Sequence, residues 1–382
     1  MRLVHLTAST FFGGPERQML GLAQALRPEH ETRFFSFAES GRCRDFLQRA
    51  REQGFPAESL RHDTPHLPAA VRELTGKLRE WQTDFLLCHG YKSNILGRIG
   101  ARRAGVPVVA VSRGWTGENI KVRLYDLLDK IHLRFLDHVV AVSEGQARKV
   151  GRCGVPINRL TIIRNAARLS DCRAAEPESL QQLRSLFPSP GRCTVVSAGR
   201  LSREKGFGDF IESAKLICLA NSEVRFAIFG EGRMRDELQR KIDEAGLNDK
   251  FVLPGFRDDL DRLLPGADVF VLPSYTEGLP NVILEASAAA VPVVATAVGG
   301  TPEVVRHSET GYLVPPRNPQ ALAEDISGLL GDESLRRSMG HAGREFVQKH
   351  FTFAAQAEAY RRLLAELRIA NKTTQARERT AA

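Results

Sequence analysis

The stretch Pro273-Ser274-Tyr275-Thr276-Glu277-Gly278-Leu279-Pro280-Asn281-Val282-Ile283-Leu284-Glu285-Ala286 follows the apolar run Val269–Leu272 and leads toward a second apolar run at residues 293–295. A short β-branched run, a cluster of turn residues and then a helical pattern opening near Asn281 read as strand, loop and helix. Glu277 falls in the loop at the mouth of the helix, and Glu285 a little over one turn inside it, among Val282, Ile283 and Leu284. Two carboxylates closing on one ligand suit a polyol, because their oxygens accept from vicinal hydroxyls. The backbone of Gly278, Leu279, Pro280, Asn281 and Val282 adds N–H donors at the positive end of the helix. The alternative is a helix-start acid followed by an exposed helical one.

The same succession recurs on both sides. Apolar runs at Arg2–Thr7, 30–37, 84–89, 107–111, 138–142 and 160–163 alternate with helical spacing at 15–26, 46–53, 68–81, 93–104 and 122–135. The alternation breaks between residues 165 and 191, in a charged run, a helical segment at 178–186 and Phe187-Pro188-Ser189-Pro190-Gly191. It restarts with strands at Cys193–Ala198, Val224–Phe229, 251–253, Val269–Leu272 and 293–295, separated by helices at 207–219, 234–245, 260–264 and 281–289, with a further helix at 319–330. This predicts an α/β fold of two Rossmann-like, doubly wound domains, residues 1–170 and 192–351, joined by a linker at 171–191 and facing a central cleft. A helical segment at 333–367 closes the chain, and the polar stretch 369–382 reads as a frayed tail. Ligands of open parallel sheets sit beyond the carboxyl ends of the strands, so the loops that follow strands are where chemistry is expected.

Composition excludes several classes. With 382 residues, 42% apolar and 26% charged, the chain is neither disordered nor fibrous. Cysteines 43, 88, 153, 172, 193 and 218 form no CxxC pair and no metal-ligand spacing, which fits free thiols in a reducing compartment. The opening MRLVHLTAST has no apolar signal-peptide core. The least polar stretch, 286–300, is broken by Pro292 and falls short of the ~20 residues a membrane span needs. A cytoplasmic location is expected. Residues 1–170 carry 27 Lys and Arg against 16 Asp and Glu, a net of +11, while the remainder nets −2. Such a one-sided field points to an acidic partner for the first half, an anionic membrane surface, a phosphate or a nucleic acid, unless the surplus arginines are simply solvated.

Other loops carry weaker signals. Gly13 and Gly14 precede Pro15-Glu16-Arg17 after the first strand. They allow backbone to approach a ligand at a helix N-terminus, or merely make a tight turn. Gly230-Glu231-Gly232-Arg233-Met234-Arg235 lacks the third glycine of a dinucleotide fingerprint, and no GxxxxGK[ST] occurs; Gly230 permits close approach to a nucleotide or a plain turn. Arg200 and Lys205, in Gly199-Arg200-Leu201-Ser202-Arg203-Glu204-Lys205-Gly206, lie just before a helix, where cations oppose the dipole unless an anion such as a diphosphate is bound. The alternative is an exposed loop. His89 ends the strand Leu86-Leu87-Cys88-His89 and aims an imidazole at the cleft, or fills a structural role. Asp258-Asp259-Leu260-Asp261 contains Asp-x-Asp but opens a helix, so it reads as capping, and no metal site is expected.

In combination, Gly13-Gly14-Pro15-Glu16-Arg17, Arg200 with Lys205, and Glu277 followed by Glu285 resemble the family 4 glycosyltransferases, retaining nucleotide-sugar transferases of the GT-B fold. The resemblance spans about residues 1–365 and is densest over 198–315. It includes Val298-Gly299-Gly300-Thr301-Pro302-Glu303 and Thr310-Gly311-Tyr312-Leu313-Val314. It implies that Arg200 and Lys205 hold the donor diphosphate, Glu277 the sugar hydroxyls and Glu285 the ribose. Gly14 would face the diphosphate from the opposite domain, His89 would contact the sugar near the reacting centre, and Phe256 and Arg257 would lie in the loop that reads the base. The helix at 352–368 would cross back onto the first domain. Ser112-Arg113-Gly114 and Asn165-Ala166-Ala167 depart from the family's usual His-Gly and Asn-Gly; Arg113, with Arg17, is assigned to the acceptor side.

The expectation is a metal-independent, cofactor-free glycosyltransferase moving a sugar from a UDP- or GDP-linked donor to a glycan or lipid-linked acceptor, in cell-surface polysaccharide or lipopolysaccharide synthesis. An anionic membrane surface is an expected partner and nucleic acid is not, since no aromatic-basic interleaving appears. The rivals are a nucleotide-sugar epimerase of the same architecture and a non-catalytic nucleotide-sugar-binding protein.

Overall fold

Strands that are apolar at every position have no face for water and belong inside a parallel sheet covered on both sides. In the computed structural model, which describes residues 1–115, 120–168, 177–189 and 191–381, two separate sheets have central strands buried along their length, even where these carry a Ser, Thr, Arg or His. The first contains β1 (Arg2–Thr7), β2 (Glu31–Ser36), β3 (Ala57–Ser59), β4 (Phe85–His89), β5 (Val108–Ser112), β6 (His138–Ala141) and β7 (Leu160–Ile162). They are all parallel, in the order β3-β2-β1-β4-β5-β6-β7. The second contains β8 (Cys193–Ala198), β9 (Val224–Phe229), β10 (Phe251–Gly255), β11 (Val269–Leu272), β12 (Val293–Thr296) and β13 (Gly311–Val314), in the order β10-β9-β8-β11-β12-β13.

Both sheets wind outward from their first strand, so the order reverses between β1 and β4 and again between β8 and β11. Crevices open at such switch points, beyond the carboxyl ends of the strands. The loop holding Gly13 and Gly14 follows β1, and His89 is the last residue of β4. Arg200 and Lys205 follow β8, and Glu277 follows β11. The topology thus gathers the four loops singled out in the sequence.

The last helix, Phe353–Ala381, ties the second half back onto the first. Its Tyr360, Leu363 and Leu364 are buried with Leu3, Leu22 and Phe85 of the first sheet's core, and the Ala167 N–H donates to the Phe351 carbonyl at 2.8 Å. This helix continues through the stretch read as a frayed tail, as far as Ala381. That stretch holds no Gly or Pro, and four of its fourteen residues are Ala and two are Arg, both good helix formers. Of the expected linker, residues 171–176 and 190 lie outside the described residues. The helix Pro177–Arg184 within it puts Leu183 into the core of the second sheet with Val196 and Leu264. Short elements escaped the sequence reading: β3, β13 and the helices Glu144–Arg152 and Thr301–Val304. The first of these helices contains two glycines, a poor interior composition, and is stabilised instead by Ser143, whose Oγ accepts from the Gln146 N–H. Among the described residues no helix is long and apolar enough to cross a membrane.

Candidate active site

Opposite the second sheet, the loop after β1 turns at Gly13 into the helix Gly14–Leu26. The Gly13 N–H donates to Glu16 Oε2 at 3.1 Å, and burial raises the Glu16 carboxyl above its ordinary range. Gly14 lies directly against the second domain: a Cβ there would stand 2.5 Å from Asn281 Nδ2. Gly14 therefore sits against the first residue of the helix Asn281–Ala288.

His89 is not alone. Its Nδ1 lies 2.7 Å from Arg113 Nη1, its Nε2 lies 2.9 Å from His5 Nδ1, and the two imidazoles stack at 5.1 Å. A guanidinium can only donate, so His89 Nδ1 accepts, its proton sits on Nε2, and that N–H donates to His5 Nδ1. The His5 proton is then on Nε2, a buried atom without a partner in the structure. Burial and then the nearby Arg113 hold both histidines neutral, His5 down to about 3 and His89 well below its ordinary value. Neutral His89 with both nitrogens engaged is a polar contact and orienting group, not a proton donor.

Across the cleft, Lys205 and Glu277 meet: Nζ donates to Oε1 at 2.6 Å, and Ser274 Oγ donates to the same oxygen at 2.7 Å. Lys205 can reach because the turn before it closes on Gly206, at φ 65°, where a Cβ would lie 2.1 Å from the Pro273 carbonyl oxygen. Arg200 is half exposed and lies 3.4 Å from Glu204. A further cation comes from the first domain, where Lys149 Nζ donates to Thr276 Oγ1 at 3.2 Å; burial lowers its pKa. Glu285 is paired at 3.7 Å with Arg17, and burial raises its carboxyl. Arg17, assigned to the acceptor side from sequence, therefore points into the second domain, where it also donates to the Asp258 carbonyl at 3.2 Å. Arg17 and Glu285 line a cavity of about 240 Å³ together with Phe12, Arg49, Asp258 and Asp261.

The helix Asn281–Ala288 begins at this junction. Asn281 and Val282 precede its first intrahelical bonds, which run from the Ile283 and Leu284 N–H groups to the Pro280 carbonyl at 3.2 and 3.4 Å, and Pro280 itself has no N–H to offer. First-domain side chains hold this start: Ser143 Oγ donates to the Gly278 carbonyl at 2.8 Å, and Asn165 Nδ2 donates to the Leu279 carbonyl at 3.2 Å and to Asn281 Oδ1 at 2.8 Å. Leu279 is buried, while Val282 packs against the second core. Three expectations shift. Gly230 is required by packing, since a Cβ would lie 1.9 Å from the Gly199 carbonyl oxygen. Arg257 is engaged by both carboxylate oxygens of Asp259 at 2.7 Å, and Phe256 meets Phe11 of the first domain edge-on at 4.7 Å. The acidic run does not cap its helix: Asp259 makes no side-chain cap bond, and Asp258 pairs with Arg49 across the cleft at 3.0 Å. Among the described residues no group of three or more His, Cys, Asp or Glu side chains could hold a metal.

Sequence reasoning missed His5, Lys149 and Ser143, and met Asn165 only as the start of Asn165-Ala166-Ala167. His5 and Ser143 carry only the signal of a polar residue in or beside an apolar strand, and Lys149 none at all. The Arg113 side chain, expected near the acceptor, is the partner of His89, and its carbonyl oxygen packs on Gly278.

The chain is similar to known proteins over both of its halves. Residues 181–346 match the family described as "Glycosyl transferases group 1", and residues 13–166 match "Glycosyl transferase 4-like domain". The capsular polysaccharide biosynthesis glycosyltransferase CapM of Staphylococcus aureus is 28% identical over 275 residues, covering 68% of this chain and 71% of that one. The 2-deoxystreptamine glucosyltransferase of Streptomyces kanamyceticus is 27% identical, over 75% and 78% of the two chains. The crystal structure of Anabaena HepE in complex with UDP-glucose superposes with a TM-score of 0.85 at 21% identity, over 96% of this chain and 100% of that one. With a glycosyl transferase 4-like domain in its first half and a group 1 domain in its second, the chain belongs to the glycosyl transferases group 1 family and is a glycosyltransferase of the GT-B fold.

Proposed function

We propose that the protein transfers a hexose-type sugar, with retention and without a metal ion, from a nucleoside-diphosphate sugar to a glycan or lipid-linked acceptor. The observation that carries this reading is the meeting of Lys205 and Glu277 at the start of the Asn281–Ala288 helix, directly opposite Gly14. Lys205, Arg200 and the helix N-terminus supply fixed positive charge where a diphosphate leaves, the preorganised stabilisation that the departing group requires. Glu277 accepts from sugar hydroxyls, and Glu285 from ribose hydroxyls beside the cavity it lines with Arg17.

Retention by covalent catalysis would need a carboxylate free to attack the sugar. Glu277 is tied by Lys205 and Ser274, and neutral His89 by Arg113 and His5. Same-face attack fits this arrangement: the anomeric carbon–phosphate oxygen bond breaks, the acceptor oxygen bonds to that carbon from the same face, and the acceptor proton passes to the leaving diphosphate. A UDP donor is favoured over GDP by the UDP-glucose complex of the structural neighbour, and polysaccharide synthesis by the capsular relative. The basic first half supports work at the inner face of an anionic membrane.

The test is a thermal-shift screen of UDP- and GDP-sugars on the wild type and on Glu285→Ala. The donor should raise the melting temperature of the wild type only. If no nucleotide sugar stabilises the wild type, the donor site is misassigned. If sugar is interconverted by donor alone, the epimerase reading replaces this one.

A further inference from the structure

The helix Ile120–Leu133 is built inside out. A helix covering a sheet normally buries its apolar stripe and exposes its charges. Here Leu124, Leu127, Leu128 and Ile131, with Phe135 just beyond the end, are 55%, 52%, 44%, 44% and 52% exposed. Their spacing of three, four, seven and eleven residues from Leu124 puts them on one face. The two acids of the helix point the other way. Asp126 and Asp129 are buried, and Asp129 accepts from Asn94 Nδ2 at 2.7 Å and from Trp115 Nε1 at 2.9 Å. The outward side keeps cations instead: Arg123 and Arg134 are exposed, Lys130 lies over the Trp115 ring at 5.0 Å, and Arg98 lies over Phe135 at 5.4 Å.

We infer that this face is the element that docks the enzyme on an anionic bilayer. An apolar ridge rimmed by Arg and Lys is the arrangement that sinks side chains into the acyl boundary while cations stay with the headgroups. A second copy of this chain is a poor occupant. A twofold contact through this face would set its cations against their own copies, with both acids of the helix buried on the opposite side from the contact. The face is also coupled to the cleft through one strand-to-helix connection: Arg113 at its start holds His89, and Trp115, two residues on, holds Asp129. Docking here would bring the acceptor side of the cleft close to the headgroups. The inference deepens the membrane encounter proposed above by naming the element responsible.

The test is flotation with phosphatidylglycerol–phosphatidylcholine vesicles and with phosphatidylcholine vesicles alone, without any sugar nucleotide. The wild type should float with the anionic vesicles at low salt and be released as salt is raised. The triple variant Leu124→Ser/Leu127→Ser/Leu128→Ser should bind at least about tenfold more weakly, from the lost apolar burial, with its donor-induced thermal shift unchanged. Arg123→Glu/Arg134→Glu, which leaves the apolar ridge intact, should abolish the preference for anionic lipid. If the wild type floats but both variants float equally well, the element is misassigned although the membrane encounter stands. If the wild type does not float at low salt, both fail. If it sediments as a dimer that the triple variant dissociates, the face belongs to a second copy.

Discussion

The two domains meet over nearly bare backbone, which makes one glycine a sharp test of whether their seating governs turnover. Gly145 opens the helix Glu144–Arg152 of the first domain, and a Cβ there would stand 2.6 Å from the Gly299 carbonyl oxygen of the second. A carbon tolerates such an oxygen only at about 3.3 Å or beyond, so Gly145→Ala must open the seam by about 0.7 Å. The displacement cannot stay local, because Gly299 itself packs on the Glu277 carbonyl oxygen, where its own Cβ would lie at 1.9 Å. Misplacement approaching 1 Å costs on the order of a hundredfold in rate, so kcat/KM for sugar transfer should fall by roughly ten- to a hundredfold. Fold stability should hold, since alanine is the better helix former by up to ~1 kcal/mol. Gly151→Ala, in the same helix with nothing within 4 Å of its Cβ, is the control and should transfer sugar normally. Steady-state transfer and thermal melts on both variants decide the matter. A Gly145→Ala enzyme as active as Gly151→Ala would refute the claim that the seam sets the geometry of Glu277.

Replacing Lys205 with Met leaves the Glu277 carboxylate hydrogen-bonded to Ser274 alone and removes a cation from the proposed diphosphate position. A charge-assisted contact is worth about 1.5–3 kcal/mol, so calorimetric affinity for the nucleoside diphosphate should fall by roughly ten- to a hundredfold; unchanged affinity would remove Lys205 from the donor site. Burial holds His5 at about 3 and His89 well below its ordinary value, so below about pH 6.5 the unfolded chain takes up protons that the folded chain refuses. Each histidine then lowers unfolding free energy by about 1.4 kcal/mol per pH unit, and the difference in urea stability between wild type and His5→Gln should shrink from pH 7 to pH 5; parallel profiles would show that His5 is protonated in the fold. Leu364→Ala, at a fully buried site where the last helix meets the first sheet, should cost about 2–5 kcal/mol in the same urea assay, and a negligible loss would mean that this helix is not anchored there.

What could be read in the sequence was whatever a single segment carries. The run from Val269 to Ala286 announces strand, loop and helix by itself, and its two carboxylates sit at the mouth and in the body of the helix as expected. Lys205 and Glu277 each stood out in the sequence, but not as each other's partner, because their meeting depends on β8 and β11 being neighbours in the second sheet. His5 shows the limit more plainly. Within Leu3-Val4-His5-Leu6 it is one polar residue in a strand, and only the pairing of β1 with β4, which sets His5 against Leu87 and Thr7 against His89, brings the two rings together. Pairing of strands far apart in sequence has no local signature, and neither has a contact between domains. The pairing of Arg17 with Glu285 across the cleft was therefore not legible.

The charge asymmetry illustrates how a composition can be correct and its explanation incomplete. The surplus of cations in the first half reads from sequence as a field directed at an outside partner. Part of it is directed inward: Arg17 pairs with Glu285, Arg49 with Asp258 and Arg164 with Glu303, each pair crossing from the first domain to the second. Glu303 also accepts from the Glu144 N–H at 2.7 Å, so a second-domain acid sits at the N-terminus of a first-domain helix, where the dipole favours it. Arg49–Asp258, the most exposed of the three, contributes at most about 1 kcal/mol, whereas Glu285 and Glu303 are largely withdrawn from solvent. The exposed cations on the outward side of the Ile120–Leu133 helix stand beside exposed leucines and face away from the cleft. The asymmetry thus has two parts with different addresses, one across the cleft and one toward a surface, and only the second calls for an external partner.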